Sequence, residues 1–428
     1  MARFATAFLY WEAPLSPGGD DLQYHELASG IASGRGYLLQ DEPSAYRGPL
    51  YPLFLAAAMR VTASDAPGVL RLIQAILGLL ALWLVYRLGA AIHSPEAGAW
   101  AAMLMALYPE QVLLPTSLYT ECFYALILLV VAWALACWRQ DPRPARLAGL
   151  GAAIGLSLLT RSTLAALPVL LAAWRLAELR AGRRWLRETA LLAVTVLLPL
   201  TPWIVRNYAR FGRVIPMETG VAGPALWYAS KGWVTAPSDM SSVEPMRTMY
   251  RRLPHTEWDR FATPRALRNM RARPMAYLLG CAKRALYLWT TAYTPYLLYY
   301  HHRLSAWMQS GGRWSWIALG DWLLRLCLIL PGAWVLLRSA RKRGGSLQRL
   351  GPAPASNANP KGGRHGAPTG VDAASTGERG LWAVAGLVLY FHIHVFATVF
   401  VRYMAPVTPL LCVLAGAGWA EWRASRRG

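Results

Sequence analysis

The chain has 428 residues, of which 55% are hydrophobic and only 15% are charged, and its formal net charge is +22. A soluble globular domain carries about 25% charged residues, so this composition excludes an ordinary soluble protein. A basic chain can bind nucleic acid, but Lys and Arg also collect in the cytoplasmic loops of membrane proteins, and we prefer that interpretation. The five cysteines are scattered without a CxxC pair, which argues against a disulfide or metal framework.

The apolar segments, taken in chain order, predict an all-α polytopic protein with about ten membrane-spanning helices. Residues 1–9 are shorter than the ~20 residues that a span needs, and we expect a first helix truncated by a misassigned start. Further spans are predicted at 69–86, 98–114, 120–138, 147–159, 164–178, 188–205, 316–337, 381–400 and 405–422. Segment 51–63 is too short to span, so it predicts an interfacial or re-entrant piece.

Every second junction between these spans is rich in arginine. The positive-inside rule places such junctions in the cytoplasm, which puts the loops 13–66 and 206–314 outside, with interfacial helices in both. Segment 344–379 is rich in Gly, Pro, Ser and Ala, so it predicts a flexible cytoplasmic linker. This linker divides a catalytic region, 1–343, from a C-terminal transmembrane hairpin, 380–428.

Charged and polar residues collect where predicted spans meet the outer loops. They are Asp20, Asp21, Glu121, Arg161, Arg206, Asn207 and Arg402. Charge at membrane depth is costly and is usually paired or turned toward a cavity, so these residues predict one polar site at the outer face. Two other interpretations stay open. The arginines can anchor at lipid headgroups, and the acids can cap helix N-termini or complement their dipoles.

Five motifs occur along the chain in a familiar order. They are "DDLQYHELASGIASGRGY", "YRGPLYPLFLA", "LYPEQVLLPTSLYTE", "PWIVRNYARFGRVIP" and "RYMAPVTPLL". In this order the sequence resembles the GT-C glycosyltransferase superfamily, in the branch that contains protein O-mannosyltransferases and the lipid A aminoarabinose transferase. The resemblance covers most of the chain apart from 344–379.

The resemblance implies a function and a set of site residues. The function is that of an inverting glycosyltransferase, which moves a hexose or pentose from a polyprenyl-phosphate donor to a hydroxyl of a lipid, glycan or protein. Asp20, four residues before Tyr24, matches the essential acid, Asp21 a second acid, and Glu121 the acid that opens a span. The donor-binding candidates are Tyr24, Arg161, Arg206, Asn207, Arg402 and Tyr403. The aminoarabinose branch holds a divalent metal with an acid and a His, and since no His here matches, a metal cofactor stays open.

These residue types suit the chemistry independently of the resemblance. A hydroxyl is a poor nucleophile near neutral pH, and a carboxylate within hydrogen-bond reach can serve as its general base. The leaving group is a lipid phosphate, and arginine stabilises its developing charge best in a dry cavity. A lipid-linked donor also explains why such an enzyme lies in a bilayer.

A multi-span transporter or lipid flippase is the alternative function. Transporters place charge near the bilayer midplane and often contain inverted repeats, whereas here the charges lie at one face and no repeat is evident. A membrane scaffold with a decayed site is a further alternative. We expect an integral protein of a bacterial plasma membrane that binds no nucleic acid and whose site faces the periplasm or exterior.

Overall fold

The computed structural model describes residues 1–16, 19–235, 243–290, 293, 294, 297, 314–349, 370–397, 399 and 401–427, and these residues are mostly helical. Within them, the sheet consists of β1 (Leu38–Leu39) and β2 (Glu42–Pro43), which pair antiparallel with Leu38 opposite Pro43. The two residues between the strands have positive φ, 53° and 60°, as the mirror-image turn of a tight hairpin requires.

The helices fall into two groups along the chain. The first group is α1 (Ala2–Leu9), α2 (Asp20–Ala32), α3 (Leu50–Thr62), α4 (Pro67–Ile92), α5 (Pro95–Leu107), α6 (Pro109–Leu113), α7 (Thr120–Gln140), α8 (Pro144–Leu158), α9 (Leu167–Leu179) and α10 (Arg183–Phe211). The second group is α11 (Ala222–Ser230), α12 (Met246–Arg252), α13 (His255–Ala272), α14 (Pro274–Thr290), α15 (Trp314–Arg349), α16 (Gly370–Tyr390) and α17 (Thr408–Ser425). Four helices of the first group begin with proline, whose fixed φ suits the first helical position.

The predicted fold class, a helical membrane protein, is confirmed. Among the described residues, five helical segments are long and apolar enough to cross a membrane. They are Pro67–Ile92, Thr120–Gln140, Ser162–Leu179, Arg183–Phe211 and Leu319–Lys342. The count of about ten spans is not confirmed, because several of the other predicted spans form shorter helices. Both predicted outer loops contain helices, namely α2 and α3 in the first and α11 to α14 in the second.

Two predicted boundaries are wrong, and both have a local cause. The span at 98–114 is interrupted after Leu107, because Pro109 disfavours a helical conformation at the residue before it and begins a new helix. The helix of the span predicted at 188–205 ends later than predicted, because α10 continues through "RNYARF" to Phe211. Gly212 then ends the helix with φ 65°, in the left-handed conformation that glycine adopts readily.

The ends of the predicted linker, 344–379, belong to helices. Residues 344–349 complete α15 and residues 370–379 open α16, whereas 350–369 lie outside the described residues. A helix that is already nucleated gains one hydrogen bond for each residue it adds, so an apolar span extends easily into polar neighbours. Beyond Tyr390, α16 continues as a 3₁₀ turn over Phe391–Phe396, so the span predicted at 381–400 ends early.

Glycines allow the closest helix crossings. A Cβ added at Gly151 would lie 2.0 Å from Thr195 Oγ1, and one at Gly155 would lie 2.5 Å from the carbonyl oxygen of Val196. Both glycines belong to α8 where it crosses α10. Small residues at such crossings let two backbones approach in a membrane, where packing rather than the hydrophobic effect holds helices together.

We predict that Gly155→Ala destabilises the protein by about 1–3 kcal/mol, because the added methyl group overpacks the α8–α10 crossing. Gly149→Ala in the same helix is the matched control, since a Cβ there has no atom within 4 Å and alanine favours the helix. Thermal unfolding in detergent should show a lower midpoint for Gly155→Ala only. Equal midpoints for both variants would contradict this crossing.

Candidate active site

A polar cleft lies where several chain segments meet at one end of the helix bundle. The first turn of α2, the loop after β2, the turns before α7 and α9, the start of the second outer loop and the 3₁₀ turn Val401–Met404 contribute to it. The lining residues are Asp20, Tyr24, Tyr46, Arg47, Gly48, Thr120, Thr160, Arg161, Glu218, Gly220, Val221, Pro224, Ala225, Tyr250, Arg402 and Tyr403.

Asp20 lies between two arginines. Its Oδ1 accepts a hydrogen bond from Arg47 Nη2, and its Oδ2 accepts one from Arg402 Nη2. The carboxylate opens α2, whose extended N-cap residue is Gly19, so Asp20 does not cap the helix, although its charge suits the helix dipole. Because its side chain remains 23% exposed, Asp20 can be reached from the cleft.

Glu121 is the second acid of this site and is almost fully buried. Its Oε1 accepts a hydrogen bond of 2.9 Å from Arg161 Nη1 and lies 3.3 Å from Arg402 Nε. Arg402 therefore bridges Asp20 and Glu121. Three guanidinium groups and two carboxylates alternate in the order Arg47, Asp20, Arg402, Glu121 and Arg161. This charge network carries one net positive charge.

The ion pairs keep Asp20, Arg47 and Arg402 ionised. Burial raises the pKa of Asp20, but Arg47 and Arg402 outweigh burial and hold the pKa well below its ordinary value. Burial lowers the pKa of Arg47, yet the neighbouring Asp20 raises it above the usual value overall. Burial also lowers the pKa of Arg402, but the neighbouring Asp20 and, to a smaller extent, Glu121 raise it well above the usual value overall. Asp20 and these two arginines are thus charged near neutral pH.

Aromatic rings hold the three arginines in place. The Cζ of Arg47 lies 5.3 Å from the ring centre of Tyr24, and that of Arg161 lies 5.3 Å from Tyr403. The Tyr119 ring lies 4.5 Å from the Cζ of Arg402. A cation over an aromatic face gains electrostatic attraction, and the flat packing restricts the side chain. The guanidinium groups are therefore preorganised.

The "LYPEQ" motif anchors the turn that carries Arg402. Gln111 Nε2 donates a hydrogen bond of 2.8 Å to the carbonyl oxygen of Ala405. The neighbouring Glu110 accepts hydrogen bonds from Gln111 at 3.1 Å and from Thr408 Oγ1 at 2.9 Å. All of these groups are buried, and breaking a buried hydrogen bond leaves a costly unsatisfied group. Arg402 is thus held in position from both α6 and α17.

The structure brings most of the predicted site residues together. Asp20, Tyr24, Arg161, Arg402 and Tyr403 line the cleft, and Glu121 joins them through its two arginine contacts. Asp21 lies elsewhere: its side chain is fully buried, and its Oδ2 accepts a hydrogen bond of 2.9 Å from the backbone N–H of Ser16. Adjacent helical residues point about 100° apart, which explains the separation of the two acids.

Arg206 and Asn207 are not among the cleft residues. Arg206 donates to the carbonyl oxygens of Ser44 at 2.6 Å and Tyr37 at 3.1 Å. Asn207 is buried and donates a hydrogen bond of 2.9 Å to the carbonyl oxygen of Ile215. These side chains brace the hairpin of the first outer loop and the chain that follows α10. Since α10 continues past residue 206, its last turn presents them to the backbone of these loops.

The sequence analysis missed two charged residues of the cleft. Arg47, in "YRGP", supplies one side of the Asp20 ion pair. Glu218, the only acid between Glu188 and Asp239, accepts a hydrogen bond of 2.7 Å from the Ser162 N–H through Oε1. Its Oε2 is buried and has no hydrogen-bond partner among the described residues. The sequence signal that pointed to Glu218 was that no other acid occurs in this segment.

The residues around the cleft do not fit a divalent metal as they are arranged. The described ranges contain no group of three or more His, Cys, Asp or Glu placed to hold one. Asp20 and Glu121 already face guanidinium groups, which repel a metal ion. His394 lies 4.8 Å from the Tyr403 ring, and burial lowers its pKa to about 4. His394 therefore packs against an aromatic ring, and His255, which lies beside Tyr46, accepts a hydrogen bond from the Ala45 N–H through Nε2.

Comparisons with known proteins give one match to a family and several to solved structures. Residues 41–205 match the family described as dolichyl-phosphate-mannose-protein mannosyltransferase. No curated protein matches the sequence. The fold is similar to that of ArnT from Cupriavidus metallidurans bound to undecaprenyl phosphate, at 17% identity over 99% of this chain and 77% of that one, with a TM-score of 0.43.

A second similar structure is the oligosaccharyltransferase of Archaeoglobus fulgidus tethered with an acceptor peptide. It is 13% identical over 99% of this chain and 49% of that one, with a TM-score of 0.46. Both TM-scores lie below 0.5, so these two matches do not by themselves support a function. The family match lies on the segment that contains Arg47, Glu121 and Arg161. Residues 41–205, less than half of the chain, thus match the dolichyl-phosphate-mannose-protein mannosyltransferase family.

Proposed function

We propose that this chain is an inverting glycosyltransferase that uses a polyprenyl-phosphate sugar donor. The observation that carries the proposal is the network of three arginines and two acids in a cleft at the helix ends, where Arg161 and Arg402 converge on one carboxylate oxygen of Glu121. A cleft with arginines at the ends of membrane helices can bind a lipid phosphate, because the lipid tail stays in the bilayer while the phosphate enters the cleft.

The donor phosphate binds where Arg402 and Arg161 converge. Its oxygens compete with Asp20 and Glu121 for these guanidinium groups, since a bidentate pair with phosphate is strong. As the phosphate takes over Arg402, Asp20 loses one of its two cations and becomes more basic. Donor binding therefore switches Asp20 from an ion-pair partner to a proton acceptor.

The transfer step is a displacement at the anomeric carbon. The acceptor hydroxyl oxygen forms the new bond to that carbon while its proton moves to Asp20 Oδ2. The bond from the anomeric carbon to the phosphate oxygen breaks, and its electron pair stays on the phosphate. Arg402 and Arg161 stabilise the charge that develops there. Attack from the opposite side inverts the configuration of the sugar.

Glu218 is the second carboxylate that can take part. It faces the cleft with one oxygen that has no partner among the described residues, and no arginine pairs with it there. We assign it to orienting the acceptor hydroxyl, with Asp20 as the general base. We further propose that no resident metal is needed, because the guanidinium groups supply the positive charge.

The location and the substrates complete the proposal. The protein is an integral membrane protein, and we propose the bacterial plasma membrane, with the cleft at the outer face. This orientation is supported by arginine-rich junctions on the opposite side of the predicted spans. The transferred group is a hexose or pentose, and the acceptor is a hydroxyl of a lipid, a glycan or a protein. A transporter is less well supported, because the charged cleft lies at the helix ends.

We predict that Asp20→Asn lowers turnover by about 10²–10⁴-fold, the contribution of a positioned general base. Glu218→Gln should raise KM for the acceptor and change turnover less. Both replacements keep the side-chain shape. Purified enzyme with a radiolabelled polyprenyl-phosphate sugar measures both constants. A folded Asp20→Asn enzyme with undiminished turnover would refute the role of this acid.

We predict that Arg402→Lys strongly weakens donor binding and turnover, because lysine cannot form the bidentate contact of a guanidinium group. Arg206→Lys is the matched control, since Arg206 contacts backbone oxygens away from the cleft. Titration of the purified variants with undecaprenyl phosphate gives the affinities. Equal loss in both variants would place the phosphate elsewhere.

We predict that the ionised Asp20 stabilises the folded protein at pH values above about 4, the ordinary pKa of this carboxyl group. This stabilisation is lost as the pH falls below that value. The sign follows from the lowered pKa, since the folded state then binds the proton more weakly than the unfolded state. The unfolding midpoint of the wild type should fall between pH 5 and 3 more steeply than that of Asp20→Asn. The exposed Asp65, changed to Asn, should leave the wild-type slope intact.

A further inference from the structure

A second cavity lies between α7, α9 and α16. This groove has a volume of about 440 Å³. Its walls are mostly apolar and include Leu135, Leu167, Leu170, Leu171 and Leu387. Arg139 and Arg379 lie at one end, and Trp174 and Trp382 also line it. Nothing in the proposed reaction uses this groove.

The arginines of the groove lie at the membrane face opposite the cleft. α7 begins beside the cleft at Thr120, and Arg139 lies 18 residues after Glu121, which is roughly 27 Å along a helix. Gly380, next to Arg379, packs against Gln140 at the end of α7, since an added Cβ would lie 3.2 Å from Gln140 Nε2. Arg139 and Arg379 are therefore at the same level.

The length of the groove corresponds to one leaflet. At the other end, Tyr390 OH donates a hydrogen bond of 2.8 Å to the Thr163 carbonyl oxygen, two residues from Arg161 of the cleft. The 11 residues from Arg379 to Tyr390 rise roughly 16 Å, about half of the ~30 Å hydrocarbon thickness. An acyl chain whose headgroup lies beside the arginines would fill this length.

The charges at the arginine end favour an anion. Arg139 lies 3.3 Å from Glu178, but Arg175 holds the same carboxylate at 2.6 Å and also binds Glu188. The Cζ of Arg139 lies 3.8 Å from the Trp174 ring centre, and Arg379 is exposed. Arg139, Arg175 and Arg379 thus carry three positive charges, against two negative charges on Glu178 and Glu188. Glu378, next to Arg379, lines a different cavity.

We propose that this groove binds an anionic phospholipid, with its phosphate at Arg139 and Arg379 and one acyl chain along the leucines between α9 and α16. Basic pockets between membrane helices at the cytoplasmic side recognise such headgroups, and tryptophans at the groove mark the interface level. The site is independent of the glycosyl-transfer proposal. It predicts a lipid that remains bound through purification and that stabilises the helix packing.

The test is lipid binding to the purified full-length protein, measured by native mass spectrometry with phosphatidylglycerol and phosphatidylcholine. The wild type should retain phosphatidylglycerol preferentially. Arg139→Gln together with Arg379→Gln should weaken that binding roughly 30-fold, because each basic residue near a membrane surface contributes about a factor of five. Arg426→Gln together with Arg427→Gln removes the same charge from exposed positions at the end of α17 and should leave the affinity unchanged.

A second variant tests the acyl-chain position. A Cβ at Gly386 has no atom within 4 Å, and this residue lines the groove, so Gly386→Leu places a side chain in the groove space and has better helix propensity. It should remove the bound lipid while the protein stays folded. Equal binding of both lipids, equal loss in the two arginine pairs, or unchanged binding in Gly386→Leu would overturn the proposal. Preferential retention of polyprenyl phosphate in the groove would overturn it as well.

Discussion

The contact of Arg402 with both Asp20 and Glu121 is the interaction on which the candidate site depends. One guanidinium group joins the first outer loop, the start of α7 and the turn before α17. These segments share no local periodicity, and each carries its charge at a helix end. Two carboxylates close together would repel each other without a cation between them. Arg402 therefore allows the two acids to lie close together in one cleft.

Much of the surrounding structure holds this arginine and its partners in place. Gln111 and Glu110 hold the residues after Met404 through hydrogen bonds with Ala405 and Thr408. The Tyr119 ring lies against the guanidinium group of Arg402. Arg206 stabilises the first outer loop in a similar way, because it donates hydrogen bonds from α10 to the carbonyl oxygens of Tyr37 and Ser44. A preorganised site of this kind needs little rearrangement when an anion binds.

The two proposals assign different lipids to the two cavities, at opposite membrane faces. The cleft is polar and has fixed charges of both signs, which matches a phosphate that must leave again after the reaction. The groove between α7, α9 and α16 is apolar, with cations at one end only, which matches a lipid that stays bound. The helix α7 connects the two places, since its first turn carries Glu121 and its last turn carries Arg139.

The sequence by itself determined the fold class and the polarity of the site. Span length, apolar composition and arginine-rich junctions are local properties, so they predicted a helical membrane protein and placed Asp20, Glu121, Arg161 and Arg402 at helix ends. The sequence did not place every helix end, because Pro109 interrupts one apolar run and α10 continues beyond another as far as Gly212.

Only the tertiary structure decided which charges meet. Asp20 and Arg402 are 382 positions apart, and no periodicity relates them. Arg206 carries the same charge as Arg402 at a similar predicted depth, but the continuation of α10 turns it to backbone oxygens. Arg47 and Glu218 reached the cleft from loops whose conformation the sequence pattern does not encode. Pairing depends on where helix ends converge in space, and that convergence is set by packing along the whole length of the helices.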